Sequence, residues 1–514
     1  MDWIVVGAGS SGAVVAARLT ETDAHAVTLI EAGPDYVAEH LPYDLADGTR
    51  NAMRSHDWGQ WHRPNLASPV RIQFPRGRVV GGSSAVNTCI ALRGQREDYD
   101  EWGALGLPDW SWDQCLPAFS KLERDLDFGG RPGHNAEGPI PIRRHTDEEL
   151  LPWQRAFMEA AQERGHARIE DHNVERPLGV SPHPMNKIAG RRVSVAEAYL
   201  TRSVRERKNL RIESETLVRR VLFRNHRVRG LEIEKAGRVR EIVTSRVVLA
   251  AGSTSTPGIL LRSGIGPAAE LARLGVEMVV DLPAVGAKLL DHAGCAIFFG
   301  RNKNGPFSDR TDTRENPIPL LQTMLRISSP HSQIPGDLQL QPGSRVPRAI
   351  PGINTWLMMM IQVGKMRGHG TIRFPSSSPH DKPTLRSALL QHPDDHREAI
   401  FAVNELLALS ETKAIRAGAS IVWPLAGDRK GDALATWLSR WNDSGYHPCG
   451  TVPMGPEGSA AAAVDGRGRV VGTRGLWVVD ASVMPTVPSV NTNIPTIMLG
   501  ERFGGWLAAG ESEA

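Results

Sequence analysis

The sequence from Trp3 to Gly12, Trp-Ile-Val-Val-Gly-Ala-Gly-Ser-Ser-Gly, decides the fold because it joins a short apolar strand to a glycine loop. A helical run of small residues follows as far as Leu19, and the next apolar run ends at Glu31, which is expected to bind a ribose. A GxGxxG loop between a strand and a helix is typical of dinucleotide-binding βαβ units. The alternative is a glycine-rich turn that binds no ligand.

Each residue of this loop has a predicted task. Gly7 permits the tight turn, Gly9 lets a pyrophosphate approach the backbone, and Gly12 allows the helix to pack closely on the strand. Ser10 and Ser11 lie at the start of the helix, whose dipole favours bound phosphate. The fingerprint alone does not distinguish FAD from NAD.

The composition is that of a folded globular protein. The chain has 514 residues, 40% of them apolar and 23% charged, with a formal charge of +3. The basic run 202–211 is interpreted as a solvated helix face, so no nucleic-acid partner is expected. No apolar stretch approaches the roughly 18 residues of a transmembrane span, and the N-terminus lacks the basic region of a secretion signal. We expect a cytoplasmic protein, either a monomer or a homodimer.

Several classes of site lack support. The four cysteines have no CxxC spacing, which argues against a disulfide scaffold or a zinc knuckle, and Cys449 is interpreted as a packing residue. His392 and His396 flank a Pro-Asp-Asp sequence, which favours a helix start over a metal site. No P-loop, HExxH or GxSxG motif occurs. The sequence predicts no metal.

Further strands are predicted at 217–232, with a turn at 225–226, and at 243–251, 354–363, 369–374 and 476–479. The apolar run 247–251 fits a parallel strand buried on both faces, beside the first strand. A helix is predicted at 393–409. Residues 301–351 are rich in Pro, Ser, Asn, Gly and charge, and are interpreted as a long irregular segment, either an active-site cover or a plain surface loop. We predict an α/β protein with a discontinuous dinucleotide-binding domain.

The chain resembles the glucose–methanol–choline (GMC) oxidoreductases in motifs that follow the family's order. These motifs are the glycine start with Glu31, Pro75-Arg76-Gly77 with Gly81-Gly82-Ser83-Ser84 and Asn87, Arg93-Gly94 with Asp98-Tyr99-Asp100-Glu101-Trp102, Gly252 to Pro267, His447-Pro448-x-Gly450-Thr451-x-x-Met454-Gly455, and Asp480 to Thr496. Within the family, the last motif is most similar to oxidases of furanic and aryl alcohols. The resemblance implies a Rossmann-like FAD-binding domain (residues 1–155, 196–297 and 441–514) and an inserted antiparallel-sheet-plus-helices substrate domain (156–195 and 298–440).

The resemblance also implies FAD as cofactor and transfer of hydride from an alcohol to flavin N5. His447 falls on the family's catalytic histidine, and Asn493 on the partner that faces it. A neutral imidazole, with an ordinary pKa near 6.5, suits removal of a hydroxyl proton around neutral pH. Some relatives attach FAD through a histidine at the position of Val86, and because valine has no nucleophile, non-covalent FAD is expected. Tyr446 and Trp356 are candidate walls of an aryl-alcohol pocket.

A larger set of residues is placed at the cofactor by the same resemblance. Beyond the glycine loop and Glu31, this set is Ala32, Arg78, Val80, Gly82, Ser83, Asn87, Thr88, Val218, Ala251, Gly252, Asp480, Ala481, Asn493, Pro495 and Thr496. Val218 corresponds to an adenine contact, and Asp480 to an acid near the ribityl chain and pyrophosphate. Asn87 and Thr88 are expected near the edge of the flavin.

The sequence therefore predicts an FAD-dependent oxidase of a primary alcohol, aryl or furanic, with His447 as general base and O2 as electron acceptor. A dehydrogenase that passes electrons to a quinone or another carrier has the same first half-reaction and stays open. A lyase or photodecarboxylase on the same fold and a non-catalytic flavin-binding protein are further alternatives. The presence of both His447 and Asn493 favours alcohol oxidation.

Overall fold

A parallel sheet forms around the glycine-loop unit that the sequence predicts. The computed structural model describes residues 2–52, 55–303, 305–307, 317–346 and 356–511. The first strand leads through the glycine loop into the helix Gly12–Leu19 and then into the second strand. The described strands of this sheet are, in order, Leu210–Glu213, Ala26–Ile30, Asp2–Val6, Val247–Leu249 and Leu476–Val478.

Both faces of the parallel sheet are covered. Val5, Leu29 and Val248 are fully buried, as expected for strands made of continuous apolar runs. The helix Asn493–Ala509 packs against the helix Gly12–Leu19. This contact brings the C-terminal motif next to the glycine loop, although the two are far apart in the sequence.

A second, larger sheet is antiparallel. Its main described strands are, in order, Ala419–Trp423, Ala293–Arg301, Leu357–Val363, Leu338–Gly343, Thr323–Ile327 and Gly179–Pro182, and Asn442–Ser444 also pairs with Ala293–Arg301. The helix Pro393–Ser410 packs on this sheet against the strand Leu357–Val363. An α/β fold with a parallel sheet and a separate antiparallel sheet confirms the predicted fold class.

Smaller sheets and the remaining helices complete the fold. The smaller sheets comprise Thr216–Arg224, Arg227–Lys235 and Arg238–Val243; Thr371–Arg373, Thr384–Arg386, Gln60–Arg63 and Ile72–Phe74; and the pairs Ile265–Gly266 with Val280–Asp281, Glu123–Asp125 with Ile140–Ile142, and Lys187–Ile188 with Arg191–Arg192. The other α-helices are Tyr43–Ala46, Arg96–Ala104, Trp112–Leu122, Pro152–Glu163, Val195–Ala198, Arg202–Arg205, Thr256–Arg262, Ala268–Leu274, Lys413–Arg416 and Gly431–Arg440. Within the described ranges, no helix combines the length and apolar character that crossing a membrane requires.

Two local predictions can be compared directly with this structure. His392 caps the helix Pro393–Ser410, accepting a hydrogen bond from the Asp394 N–H, which confirms the helix-start interpretation. The segment 301–351 is not irregular throughout, because it contains the strands Thr323–Ile327 and Leu338–Gly343. These strands are buried in the antiparallel sheet, so a plain surface loop is wrong for them. Residues 304, 308–316 and 347–355 lie outside the described part of the chain, as does the start of the strand predicted at 354–363.

Candidate active site

A single cavity of about 850 Å³ lies where the parallel sheet meets the antiparallel sheet. The glycine loop and Glu31 line it from the N-terminal part of the chain, and His447 and Asn491 line it from the C-terminal part. The carboxyl ends of parallel strands are the usual place for a nucleotide ligand in such folds. The imidazole and the dinucleotide fingerprint therefore line the same cavity.

The glycine loop has the close backbone packing that its sequence predicts. Gly7 has φ +97°, and a Cβ on Gly12 would lie only 1.9 Å from the Gly7 carbonyl oxygen. Gly9 meets a second glycine, because a Cβ on Gly82 would lie 2.6 Å from the Gly9 Cα. Backbone thus faces the cavity without side chains in the way, which leaves N–H groups accessible to a phosphate.

Glu31 directly follows the strand Ala26–Ile30 and is buried beside the loop. Its carboxylate accepts hydrogen bonds from the backbone N–H of Ala8 (3.0 Å) and of Gly33 (2.9 Å). Burial raises the pKa of Glu31 to about 7, although these hydrogen bonds oppose the shift. A carboxylate has four lone-pair positions, so Glu31 retains capacity to accept from ribose hydroxyls.

Asp480 lies at the end of the strand Leu476–Val478 and ties three segments together at the cavity. Its Oδ2 accepts from the Gly252 N–H (2.9 Å) and from the Thr256 hydroxyl (2.6 Å), and its Oδ1 accepts from the Ser482 N–H (2.8 Å). Burial raises the pKa of Asp480 above its ordinary value. This carboxylate fixes the Gly252 turn that follows the strand Val247–Leu249.

His447, the predicted catalytic histidine, contacts two side chains. Its Nε2 lies 2.9 Å from the Asn491 Nδ2, and its Nδ1 lies 2.9 Å from the Nδ1 of His292. Burial, His292 and the positive charge of Arg76 together hold the pKa of His447 well below its usual range. The ring is therefore neutral around pH 7, as a general base requires.

The structure places Asn491, not Asn493, against His447. Asn493 is the first residue of the helix Asn493–Ala509, and its Oδ1 accepts a hydrogen bond from the Ser10 hydroxyl (2.8 Å). Asn491 precedes the helix and turns the other way, towards the imidazole. In this structure the Asn493 side chain contacts the glycine loop, and its role as the catalytic partner of His447 stays a prediction. The Asn-Thr-Asn sequence contained both candidates, and only the helix boundary separates them.

The two predicted aromatic walls have different positions. Tyr446 lines the cavity, and its hydroxyl donates to the Asp443 Oδ2 (2.8 Å). Trp356 is not among the residues that line the cavity; its ring packs at 6.3 Å from the ring of Phe298, which does. Trp356 is therefore one layer behind the wall.

Most residues predicted to contact the cofactor line the cavity. Those that do so are Gly7, Gly9, Ser10, Ser11, Glu31, Ala32, Arg78, Gly82, Ser83, Asn87, Thr88, Val218, Ala251, Gly252, Asp480, Ala481, Asn493 and Thr496. Gly12, Val80 and Pro495 lie behind this lining. Arg76, quoted above only as part of a motif, also lines the cavity. Further residues that the sequence did not single out reach the site, namely His292, Phe298, Met358, Met360 and Gln362. No short motif marks the last four, because they lie on strands of the inserted sheet.

Among the described residues, a group outside the cavity has side chains of the metal-binding type. Glu123, Asp125 and His134 lie close enough together to hold one metal ion. Burial alone would lower the pKa of His134, but hydrogen bonds to Asp125, Asp171 and Glu123 raise it to about 10. The ring is therefore protonated at neutral pH and pairs with the acids, so this group is an ion-pair network.

Comparisons with known proteins match nearly the whole chain to members of one family. Two models of the family described as GMC oxidoreductase match residues 1–294 and residues 367–500. The chain is 33% identical to 5-(hydroxymethyl)furfural oxidase of Methylovorus sp. (strain MP688), covering 98% of this chain and 97% of that protein. It is 32% identical to oxygen-dependent choline dehydrogenase of Rhizobium etli, covering 98% and 94% respectively.

Solved structures agree with the sequence comparison. The crystal structure of pyridoxine 4-oxidase from Mesorbium loti superposes with a TM-score of 0.89 at 28% identity, covering 98% of each chain. The crystal structure of formate oxidase superposes with a TM-score of 0.87 at 21% identity, covering 99% of this chain and 98% of that one, which shows the fold.

Proposed function

Because the chain belongs to the GMC oxidoreductase family, we propose that it is an FAD-dependent oxidase of primary alcohols, aryl or furanic, that uses O2 as electron acceptor. The reaction is RCH2OH + O2 → RCHO + H2O2. The observation that carries the proposal is the shared cavity, which is lined both by the His447 imidazole and by the dinucleotide loop.

The residues of this cavity fit FAD. The side-chain-free backbone at Gly9 and Gly82 admits a pyrophosphate, and Glu31 is placed for a ribose. Asn493 lines the cavity, and its buried Nδ2 has no hydrogen-bond partner among the described residues, so it has a free donor for the cofactor. When bound, FAD supplies the hydride acceptor at flavin N5. Val86 lines the cavity and offers no nucleophile, which supports non-covalent binding.

His447 Nε2 is the base in this proposal. A substrate hydroxyl takes the place of the Asn491 amide at the Nε2 lone pair, and its proton moves to Nε2 as the adjacent C–H bond breaks. The Asn491 Nδ2 carries two N–H bonds, so it can donate one to the substrate oxygen and fix its direction. The proton ends on Nε2, inside the cavity.

The wall opposite the dinucleotide loop supports an uncharged, aromatic substrate. The cavity-lining residues on the described strands Ala293–Arg301, Leu338–Gly343 and Leu357–Val363 carry no formal charge. Phe298, Met358 and Met360 supply apolar surface, and Gln341 and Gln362 supply hydrogen bonds. A furan or benzene ring gains from this burial. The Asp443 carboxylate also lines the cavity, but it lies outside these three strands and already accepts a hydrogen bond from the Tyr446 hydroxyl (2.8 Å).

The choice of O2 as acceptor is supported by relatives. The names of the furfural oxidase, the pyridoxine oxidase and the oxygen-dependent choline dehydrogenase all describe enzymes that use oxygen or act as oxidases. An oxidase forms one H2O2 for each aldehyde. A dehydrogenase would reduce quinones or dyes and form little peroxide in air.

A panel of alcohols tests the proposal. We expect benzylic and furanic primary alcohols to bleach the flavin absorbance of the purified holoprotein under anaerobic conditions, and choline to do so far more slowly. In air, peroxide should match the aldehyde formed. Failure of every alcohol to bleach the flavin would reject the proposal, and reoxidation only by quinones would reject O2 as acceptor. Release of the flavin on acid precipitation tests non-covalent binding, and yellow colour in the pellet would contradict it.

A further inference from the structure

We propose that His292 is a positioning residue that keeps the ring proton of His447 on Nδ1, so that Nε2 is the unprotonated nitrogen facing the cavity. The catalytic consequence rests on the proposed function, but the protonation pattern itself does not. The backbone carbonyl oxygen of Pro488 is the one atom in this group of contacts whose hydrogen-bonding role is unambiguous.

The Nε2 of His292 lies 2.9 Å from the Pro488 carbonyl oxygen. A carbonyl oxygen only accepts hydrogen bonds, so this Nε2 carries a hydrogen. His292 is fully buried, and burial lowers its pKa to about 4, so the ring is neutral. A neutral imidazole has one N–H, and the Nδ1 of His292 is therefore an acceptor. The Gln362 Nε2, 3.4 Å from this Nδ1, is a second donor directed at it.

The protonation of the His447 ring follows from that of the His292 ring. The two Nδ1 atoms of His292 and His447 are 2.9 Å apart, and two lone pairs cannot face each other at that distance. His447 must therefore carry its hydrogen on Nδ1. Its Nε2 is then a lone pair, which matches the Asn491 Nδ2 donor 2.9 Å away. The order of donors, from Asn491 through His447 and His292 to Pro488, is fixed along the whole chain of contacts.

The backbone around the rings holds them at this distance. The backbone N–H of His447 donates to the Asp291 Oδ1 (2.9 Å). Because Asp291 directly precedes His292, this bond holds the backbone of His447 next to that of His292. A Cβ on Gly445 would lie 2.8 Å from the His447 Nδ1 and 3.1 Å from the His292 Cβ. Only glycine at position 445 leaves room for the two rings to meet.

This arrangement differs from a histidine paired with a carboxylate. A neutral His292 orients the base without adding a negative charge to stabilise the imidazolium, so Nε2 remains a weak base that releases its proton readily. The contacts end at a carbonyl, which cannot take the proton onward. The proton removed from the alcohol is therefore retained on the cavity side of His447.

Two substitutions of His292 distinguish its role as a hydrogen-bond acceptor from its role in packing. His292→Leu removes the acceptor, whereas His292→Asn places a carbonyl oxygen near the former Nδ1. We expect His292→Leu to slow anaerobic flavin reduction by about 100-fold, within the range of general base catalysis, and His292→Asn to recover at least ten-fold of that loss. His172→Leu is the matched control, since His172 is equally buried but contacts the Ser181 and Met324 carbonyls away from the cavity; its rate should change less than three-fold.

Nitrogen-15 NMR of the histidine-labelled holoprotein reads the protonation pattern directly. We expect the His447 signals, assigned by their loss in His447→Gln, to show a protonated Nδ1 and an unprotonated Nε2, and His292→Leu to shift them towards a protonated Nε2. An Nε2–H in the wild-type protein, or a His292→Leu variant that keeps both the pattern and the rate, would overturn the inference. If no alcohol reduces the wild-type flavin, the proposed function fails, while this spectrum still decides the role of His292.

Discussion

At the scale of single residues, His447 and Asn491 carry the proposed chemistry. We expect His447→Gln to retain FAD but to lose flavin reduction by about 10²- to 10⁴-fold, because the proton acceptor is removed. Stopped-flow absorbance under anaerobic conditions measures this rate. Retention of more than a tenth of the wild-type rate would contradict the role of the imidazole.

Asn491 and Asn493, the two asparagines of the C-terminal motif, are expected to have different roles. Asn491→Ala should slow flavin reduction by about 10-fold or more, because the donor beside the His447 Nε2 is lost. Asn493→Ala should instead weaken FAD binding, because its side chain contacts Ser10 of the glycine loop. Reduction rates and FAD titration of the apoprotein distinguish the variants. The reverse pattern would restore the assignment expected from the sequence.

The pH dependence of flavin reduction follows from the buried imidazole. Burial holds the pKa of His447 well below its ordinary value, so the base form is already present at pH 6.5. The rate should be flat from this pH upward and fall only as acid protonates the ring at lower pH. A rate that still rises with pH between about 6.5 and 8 would show an ordinary or raised pKa for the base.

At the scale of elements, the helix Asn493–Ala509 joins the catalytic motif to the glycine loop. A Cβ on Gly500 would lie 2.9 Å from the Val14 Cβ, whereas Gly505 is exposed with nothing within 4 Å of an added Cβ. Gly500→Ala should therefore lower the free energy of unfolding by about 1–3 kcal/mol through overpacking. Gly505→Ala in the same helix should raise it by about 1 kcal/mol, because alanine favours the helix.

Urea unfolding of the two holoprotein variants measures these opposite effects. Equal changes in both variants would show that the helix contact at Gly500 does not govern stability.

How much of this could be predicted from the sequence differs between elements. The strand, loop and helix from Asp2 to Leu19 were predictable because glycine spacing and apolar runs are local signals. The strands Thr323–Ile327 and Leu338–Gly343 were not, because Arg326, Gln339 and Gln341 interrupt the apolar pattern and neighbouring strands stabilise them. The contact of His292 with His447 joins residues 155 positions apart, and no local pattern encodes it.

At the scale of the whole molecule, stability includes the ion-pair network around His134. The His134 Nδ1 lies 2.7 Å from the Glu123 Oε1, and Arg144 pairs with Asp125 and Asp171. The folded-state pKa of about 10 is above the unfolded value near 6.5. This contribution is therefore complete below about pH 6.5 and is lost as the pH rises towards 10.

We expect the free energy of unfolding of the wild-type protein to fall as the pH rises from about 7 to 10. The His134→Gln variant should be less stable than the wild-type protein at pH 6, and its free energy of unfolding should depend less on pH over this range. His380→Gln is the matched control, since His380 pairs with Glu234 at an exposed site. Urea titrations at several pH values measure both variants. An identical pH slope in His134→Gln and the wild-type protein would contradict a protonated His134.

The central claim is that one cavity holds both the flavin and the alcohol beside His447. The most direct measurement is rapid anaerobic mixing of the yellow holoprotein with a furanic or benzylic primary alcohol, followed at the flavin absorbance. We expect complete bleaching in the wild-type protein and a rate at least about 100-fold lower in His447→Gln. An unchanged flavin spectrum in the wild-type protein, or equal bleaching in both proteins, would contradict it.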